Sequence, residues 1–427
     1  MSEEKVGEEK GGTEKLDEGK RVEHGRDDRF SEALREIMGG SFLISILAVV
    51  LALIAGAILI ALTDPGVQKA SGYFFSRPTD TFQAIWNVVS GAYSSLFQGS
   101  IFNFRATSAV RAIRPITDTL NFATPLIAGG LGVGLAFRVG MFNIGGQGQM
   151  LIAAACAGWV GWSFHMPTVI HIAVAVAAGM VGGAIWAGIA GFLKARTGAH
   201  EVIVTIMLNY VALYLISYLL RTPGALQEQG SSNPKSPPVL PTAVFPPLLG
   251  VQFNLNIGIL IVLVATVVVW WLMSRSSLGF RFRAVGENPN AARVAGISVK
   301  NMYTYSMLIA GALVGLAGVS QVLGTSPEGF GSGIDAGIGF DAITVALLGR
   351  SKPWGIFVAG ILFGAFKAGG FAMQAANNIP IDIVLVVQSL IVLFIAAPPL
   401  VRAIFRLPTP GAARRARASL TKEVVAK

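Results

Sequence analysis

The sequence predicts an all-α membrane protein that crosses the bilayer about ten times and contains an inverted internal repeat. Three observations favour this fold class. Of the 427 residues, 53% are hydrophobic and only 13% are charged, which is outside the range of ordinary soluble domains. The apolar residues form separate runs close to the roughly 20 residues that a hydrocarbon core of about 30 Å requires. Lys and Arg collect in alternate connections between those runs, as they do in cytoplasmic loops.

Ten apolar segments have a length that suits a membrane span. The connections after the fourth, sixth, eighth and tenth segments carry most of the basic residues, so both chain termini are expected in the cytoplasm. The segments lie at about 43–62, 115–137, 148–166, 168–191, 201–221, 255–274, 302–323, 334–349, 354–373 and 382–399.

The predicted transmembrane domain, 41–400, lies between two charged tails. Residues 1–40 are expected to be a disordered cytoplasmic tail that ends in a short interfacial helix from Arg29 to Met38, and 401–427 a basic cytoplasmic tail. An amphipathic helix around Thr81 to Leu96 is expected on the outer surface. Seven prolines make 222–252 an external loop, because proline excludes both helix interiors and central strands.

The composition excludes several functional classes. The single cysteine, Cys156, cannot form an intrachain disulfide, and the four histidines lack metal-ligand spacing. No phosphate-binding loop matches the chain, and no nucleophile stands near a base in the sequence, so no enzyme is expected. The net charge of +10 is scattered between apolar runs rather than gathered on one face, which argues against a nucleic-acid partner. No metal site is expected.

The segment Phe142–Gln149 interrupts two apolar runs with three glycines and three side-chain amides. Irregular backbone at membrane depth is tolerated only where it packs in protein or lines a wet cavity. Two interpretations follow: close helix packing with interhelical hydrogen bonds, or a solute path lined by Phe142, Asn143, Gln147 and Gln149. Neutral amides donate and accept without the desolvation cost of a charge, which favours a neutral polyol or base as the solute.

Two further places carry polar groups within predicted spans. Thr205 and Asn209 are four residues apart and share a helix face, with Tyr210 beside them; they either line the path or bond to a neighbouring helix. Phe340 and Asp341 form the second candidate pair, since an intramembrane carboxylate marks a functional site by default, although it could equally cap a helix.

A weak internal echo links the two halves of the chain. Residues 142–155 and 339–348 both start with an aromatic, a polar and small residues and continue as an apolar helix. Five spans separate them, so the two copies have opposite topology. Broken helices at matching places of an inverted repeat are typical of transporters.

The cytoplasmic connection 275–300 predicts a short helix that projects from the membrane. Asn288 suits the N-cap, Pro289 the first helical position and Gly296 the stop after the helix. With Arg283 and Arg293 on its flanks, this helix is interpreted as a docking element for another protein. A solvated loop is the alternative.

Four of these runs together resemble the permeases of bacterial ABC importers. They are 130–149, 205–210, 286–289 and 339–349. The closest branch is that of nucleoside and simple-sugar uptake permeases, within the group that includes ribose and branched-chain amino-acid permeases. The resemblance covers about residues 110–400. The charged N-terminal tail has no counterpart in the family pattern, and Gly146 replaces an acidic or alanine residue that often precedes the glutamine.

The resemblance implies a permease subunit in the bacterial cytoplasmic membrane that takes up a nucleoside or related neutral sugar-bearing solute by alternating access. It implies ABC ATPase subunits that hold the ATP and Mg, a second related permease rather than a second copy, an extracytoplasmic solute-binding lipoprotein and surrounding membrane lipid. No cofactor is implied on this chain. The residues that would couple to the ATPase are Arg283, Gly286, Glu287, Asn288, Pro289, Ala291, Ala292 and Gly296.

Two other classes remain open from the residues themselves. An ion-coupled secondary transporter acting without an ATPase would need acids at membrane depth, and Asp341, Glu201 and Asp382 are the obvious acids near the spans. A membrane scaffold without a solute path is the third class.

Overall fold

A computed structural model describes residues 41–406 of the chain. Every regular element within this range is a helix, and each of the ten predicted segments coincides with one. The helices are α1 (Ser41–Thr63), α2 (Pro65–Ser71), α3 (Pro78–Ser100), α4 (Ala109–Arg138), α5 (Gly146–Ser163), α6 (Thr168–Thr197), α7 (Glu201–Leu219), α8 (Gly258–Arg275), α9 (Ser277–Glu287), α10 (Pro289–Val294), α11 (Val299–Ser320), a π-helix (Gln321–Thr325), α12 (Ile338–Leu348), α13 (Pro353–Asn377), α14 (Asp382–Ala396) and α15 (Pro398–Ile404).

The chain divides into two compact units. The larger unit, Gly56–Val392, contains the helix bundle and all features discussed below. The described part of the other unit consists of 41–55 and 393–406, which hold most of α1, the end of α14 and all of α15. The predicted interfacial helix from Arg29 to Met38 lies outside the described residues, and α15 extends into the predicted tail 401–427.

Within the described range, seven helices are long and apolar enough to cross a membrane: α1, α4, α6, α7, α8, α11 with its π-helix, and α13. The other three predicted segments are the 18-residue α5 and the apolar but shorter α12 and α14. The all-α, multi-pass fold class is therefore confirmed.

Glycines bring the long helices into backbone contact. α6 and α11 cross at Gly183 and Gly311, where a Cβ on either residue would overlap the carbonyl oxygen of the other. α13 meets α3 at Gly369, where a Cβ would overlap the carbonyl oxygen of Leu96. The helix expected on the outer surface around Thr81 to Leu96 is thus the longer α3, and one side of it packs in the bundle. Small residues at membrane helix contacts permit this close approach.

The helix packing occurs twice with exchanged partners. In sequence order α4, α5 and α6 correspond to α11, α12 and α13. α4 packs on α13 while α11 packs on α6, and α4 touches α12 while α11 touches α5. The equivalent pairs, α4 with α11 and α5 with α12, are also in contact. An inverted repeat, whose halves are related by a pseudo-twofold axis, predicts this exchange of partners.

The connection 275–300 contains two helices instead of the single predicted one. The predicted helix is α10: Pro289 is its first residue, and the Asn288 Oδ1 accepts the N–H groups of Asn290 at 3.0 Å and Ala291 at 3.1 Å. Gly296 has a φ of 81° and ends the turn after it. α9, which precedes α10, was not predicted, and its buried Phe282 and Val285 side chains anchor it to the bundle.

The proline-rich loop 222–252 contains neither helix nor strand, as predicted, but it is an ordered part of the bundle. It follows the segment after α11: Val239 N–H donates to the Pro327 carbonyl at 2.8 Å, and Phe245 N–H to the Leu323 carbonyl at 2.9 Å. The buried ring of His171 on α6 also contacts this loop, since its Nδ1 lies 2.8 Å from the Thr242 hydroxyl.

Candidate functional site

The loop between α4 and α5 begins with a tight helix end. Gly140 has a φ of 78°, and the N–H of Met141 donates to the Ala136 carbonyl at 3.0 Å while that of Gly140 donates to Phe137 at 3.1 Å. This pair of bonds is the Schellman motif, which needs glycine at the left-handed position. The chain then runs without helical structure to Gly145, and α5 starts at the next residue. The octapeptide is therefore half loop and half first turn of α5.

One face of α7 holds this loop with side chains spaced four residues apart. Thr205 Oγ1 lies 3.4 Å from the N–H of Ile144, which donates to it. Asn209 makes two bonds: its Nδ2 donates to the Ile144 carbonyl at 2.9 Å, and its Oδ1 accepts the N–H of Gly148 at 2.8 Å. Side-chain groups thus satisfy backbone groups that an unbroken helix would satisfy internally.

Glu201, one helical turn before Thr205, extends the same face. Its carboxylate lies beside the backbone N–H of Phe142 and 2.7 Å from the Nζ of Lys194 on α6. Three positions of α7 thus hold the loop from its start to the first turn of α5. Spacing predicted that Thr205 and Asn209 share a face, but it did not predict that Glu201 joins them.

Asn143 and Gln149 form a reciprocal amide pair inside the loop. Asn143 Nδ2 donates to Gln149 Oε1 at 3.1 Å, and Gln149 Nε2 donates to Asn143 Oδ1 at 2.8 Å. The Asn143 Oδ1 also accepts the N–H of Gly145 at 3.0 Å. Both side chains are buried, at 0% and 1% exposure. These amides bond to each other and to the loop backbone, as the interpretation of close packing with hydrogen bonds expected.

The starts of α5 and α12 meet backbone to backbone. A Cβ on Gly146 would lie 2.6 Å from the carbonyl oxygen of Gly339, and a Cβ on Gly339 would overlap the N atom of Gln147. α12 has 11 residues and is about 16 Å long. Just beyond its far end, the Ser351 carbonyl accepts the Nε–H of Arg138, the last residue of α4, at 3.1 Å. The meeting point is therefore about half of a 30 Å hydrocarbon core away from that end.

Charged side chains surround this meeting point. Lys367 Nζ lies 2.8 Å from Asp341 Oδ2 and 3.5 Å from the carbonyl oxygen of Ala336. The side chain of Gln147 hydrogen-bonds the carboxylate of Asp335, which is only 5% exposed. Gln147 and Asp341 were predicted from the sequence, whereas Lys367 and Asp335 were not. The overlooked signal was the single lysine within the predicted span 354–373.

An open cavity of about 1370 Å³ lies at the opposite end of the bundle from Arg138. Its walls are the end of α3, the start of α4 and the segment before it, the end of the proline-rich loop with the residues up to Asn256, the π-helix with Glu328 after it, and the second half of α13. We name this end the cavity end, and the end that carries α9, α10 and Arg138 the connection end. On α13 the lining residue farthest from the cavity end is Ala368, the neighbour of Lys367.

The cavity presents amides and aromatic rings. Phe122 and Phe371 stack with ring centroids 5.6 Å apart and an interplanar angle of 26°. Asn254 Nδ2 donates to Asp118 Oδ1 at 2.7 Å. Asn256 and Asn121 bond to each other at 3.2 Å on the same wall. The charged lining residues are Arg105, Arg111, Arg114, Asp118 and Glu328.

A family model described as the permease component of the branched-chain amino acid transport system matches residues 116–396. The chain belongs to this permease family. The guanosine ABC transporter permease NupP of Bacillus subtilis is 35% identical over 368 residues, 84% of this chain and 94% of its own length. The nucleoside ABC transporter permease NupB of Lactococcus lactis is 37% identical over 297 residues, 68% of this chain and 81% of its own.

The glucose ABC transporter permease TsgB13 of Haloferax volcanii is 35% identical over 290 residues, 66% of this chain and 75% of its own. No solved structure matches the permease. These relatives make the chain the permease subunit of an ABC importer, a multi-pass membrane component that is not itself an enzyme. A permease of this family works with ATPase and substrate-binding partners.

None of the nine residues predicted for the solute path lines the cavity of the permease. Asn143, Gln149, Thr205 and Asn209 belong to the loop network, and Gln147 and Asp341 lie at the meeting point of α5 and α12. Phe142, Tyr210 and Phe340 are exposed at the surface of the chain, at 54%, 54% and 50%. A direct contact of any of these nine with solute stays a prediction. Sequence reasoning missed the cavity because its walls come from several segments that are far apart in the sequence.

The predicted docking residues lie at the connection end. Gly286 rests on the end of α4, where a Cβ would overlap the Arg138 carbonyl oxygen. Ala292 is 3% exposed and packs in the core of the bundle, whereas Val294, two residues later, is 91% exposed. Arg283 and Pro289 are half-buried, and Glu287, Asn288, Ala291 and Gly296 are exposed.

Proposed function

We propose that the permease imports a nucleoside or a related neutral sugar-bearing solute, and that the cavity is the entrance for it. The observation that carries this proposal is the lining of the cavity, where a stacked aromatic pair stands among neutral amides. A base or sugar ring packs on such rings, and amides both donate to and accept from hydroxyl groups. The named solutes of the three relatives, guanosine, nucleosides and glucose, share this chemistry.

The size of the cavity supports passage rather than tight binding. At about 1370 Å³ it exceeds the roughly 300–1,000 Å³ of most small-molecule sites. A solute would therefore keep part of its hydration in the cavity. From there the path continues past Ala368 to the meeting point of α5 and α12 and on to the connection end. Gln147, Phe340 and Asp341 are the predicted path residues closest to that route.

The other predicted path residues affect this route by holding the loop backbone in place. Asn143 and Gln149 fix the loop from inside, and Thr205 and Asn209 fix it from α7. A loop held in this way keeps the first turn of α5 open to neighbouring groups at membrane depth. Phe142 and Tyr210 flank the loop at the surface.

The ATPase subunits are proposed to dock on α9 and α10. The contact of Gly286 with Arg138 transmits movement of this connection to the end of α4, and the Arg138 bond to Ser351 transmits it to the end of α12. The connection thus contacts the end of α4 directly and is linked to the end of α12 through Arg138, which suits alternating access. The connection end and both termini would face the cytoplasm. The cavity end would receive a solute-binding lipoprotein, and a second related permease would complete the complex.

Uptake by the reconstituted complex tests the proposal. The permease, co-purified with its ATPase, partner permease and binding protein, is placed in proteoliposomes with ATP and offered radiolabelled guanosine, glucose and guanosine monophosphate. ATP-dependent uptake of a neutral solute and background uptake of the phosphate are expected. If the chain alone accumulates solute on a proton or sodium gradient, it is a secondary transporter instead.

A pair of variants tests the cavity. Phe371→Ala removes one ring of the stacked pair in the cavity, and Phe104→Ala removes one ring of a second stacked pair, Phe97 with Phe104, whose rings do not line it. Base-to-ring stacking is worth about 1–3 kcal/mol per base, so Phe371→Ala should raise the KM for guanosine uptake roughly tenfold. Phe104→Ala should leave it unchanged. Equal effects of the two variants would contradict the entrance role.

A further inference from the structure

Lys367 is a charged side chain in the middle of a membrane-spanning helix. It is the fifteenth of the 25 residues of α13, a helix that is long and apolar enough to cross the bilayer. Its side chain is 14% exposed, and that of its partner Asp341 is 23% exposed. Ionised groups at this depth are costly unless they are paired, and they mark functional sites in membrane proteins.

The position of the pair relates it to the cavity. Lys367 directly precedes Ala368, the lining residue of α13 that lies farthest from the cavity end. Asp341 is in the first turn of α12, two residues after Gly339, which touches the start of α5. The ion pair therefore lies between the cavity and the contact of the two broken helices. A second polar contact, Gln147 with Asp335, lies beside it.

We propose that the Lys367–Asp341 ion pair is the gate that closes the solute path below the cavity, and that it must separate for solute to pass. The inference rests on the proposed path in one respect, that solute travels from the cavity towards the connection end. The pair joins α12 to α13, two consecutive helices of the second half, and Asp341 lies two residues after Gly339, where α5 of the first half meets α12. Movement of α5 that shifts the start of α12 would therefore move Asp341 relative to Lys367.

The surroundings allow the lysine to change partners. Lys367 Nζ already contacts the carbonyl of Ala336, the residue that follows Asp335 in the chain. When Asp341 moves with α12, the ammonium group can turn to Asp335, and the hydroxyl groups of a solute can bond to Asp341. A buried charge left without a partner is far more costly than a pair that is exchanged or removed together. Single neutral substitutions and a charge exchange should therefore have opposite effects.

Thiol labelling in the full chain tests the gate. Cys156→Ala removes the single native cysteine, and Thr325→Cys places a reporter in the cavity wall at an exposed position of the π-helix. A membrane-impermeant maleimide is added to vesicles of each orientation, so that it reaches either the cavity end or the connection end. With the gate intact, the reporter should react from the cavity end only.

Opening the gate should admit the reagent from the connection end. Lys367→Met and Asp341→Asn should each raise labelling from that end about tenfold over background. The exchange Asp341→Lys with Lys367→Asp should return it to background. Lys352→Met, an equal change at the exposed start of the same helix, should have no effect. Labelling from the cavity end verifies folding of every variant.

Background labelling from the connection end in both single variants, with cavity-end labelling intact, would overturn the gate. Failure of the charge exchange to restore closure would overturn the ion pair as its cause. If Lys367→Met loses labelling from the cavity end as well, Asp341→Asn, which keeps the side-chain shape, decides alone. The assay needs no solute, so its outcome is independent of whether the permease carries a nucleoside.

Discussion

Asn209 shows how single side chains maintain an irregular backbone at membrane depth. Its amide makes two bonds, to the Ile144 carbonyl and the Gly148 N–H, which lie on either side of the start of α5. The side chain is 3% exposed, so water does not compete for either group. In a low-dielectric environment, backbone groups without a partner are costly. The loop therefore depends on this residue for its shape.

Replacement of Asn209 should destabilise the permease measurably. Asn209→Ala leaves two buried backbone groups without their partner, each at a cost of about 1–3 kcal/mol. The apparent melting temperature of the purified permease should fall clearly, and uptake should fall with it. Asn87→Ala, at an exposed position of α3, is the matched control and should change neither. A melting temperature unaffected by Asn209→Ala would mean that the loop does not need α7.

The sequence predicted these residue contacts only in part. Thr205 and Asn209 were placed on one face because helical spacing alone determines that relation. The partner of that face could not be predicted: it could be a solute or a neighbouring segment. Asn209 and Gly148 are 61 positions apart in the sequence, and only the fold brings them together. Lys367 was missed for a related reason: one charge barely changes the hydropathy of a span, and its partner Asp341 lies on another helix.

At the scale of elements, α10 was predictable and α9 was not. Asn288, Pro289 and Gly296 are local signals whose effect on the backbone needs no tertiary contact. α9 instead contains Gly279 and Gly286, which lower helix propensity. The structure explains both glycines: a Cβ on Gly279 would overlap the Leu272 carbonyl, and one on Gly286 the Arg138 carbonyl. Close contact, not propensity, determines those two residues.

The exposed tip of α10 should be required for assembly with the ATPase. Val294 is 91% exposed and makes no core contact, so Val294→Asp adds a charge to the proposed contact surface without disturbing the fold. Co-purification of the ATPase should be lost, while expression and melting of the permease stay normal. Val251→Asp provides the control, because Val251 is 93% exposed at the cavity end. Equal retention of the ATPase by both variants would exclude α10 as the dock.

At the scale of the whole molecule, the exchanged packing of the two halves suits the proposed alternating access. α4 packs on α13 and α11 on α6, so each half is held mainly through the other. The weak echo between 142–155 and 339–348 predicted that matching breaks exist, and the structure places their helix starts in contact. The cavity could not be predicted from the sequence, since a wall assembled from several distant segments has no signature in any one of them.

The contact between Gly146 and Gly339 should therefore be needed for transport, and a change at either residue should impair it. Gly339→Ala inserts a methyl group into the backbone of the α5 start, and Gly146→Ala places one 2.6 Å from the Gly339 carbonyl oxygen. Such overpacking costs about 1–3 kcal/mol and forces the two helix starts apart.

ATP-dependent uptake should fall roughly tenfold in either variant. Co-purification with the ATPase should persist, because the proposed docking surface at α10 is remote from this contact. Gly333→Ala is the control, since its added Cβ has no atom within 4 Å and its φ is not positive. Normal uptake by both Gly146→Ala and Gly339→Ala would mean that the two halves work without this contact.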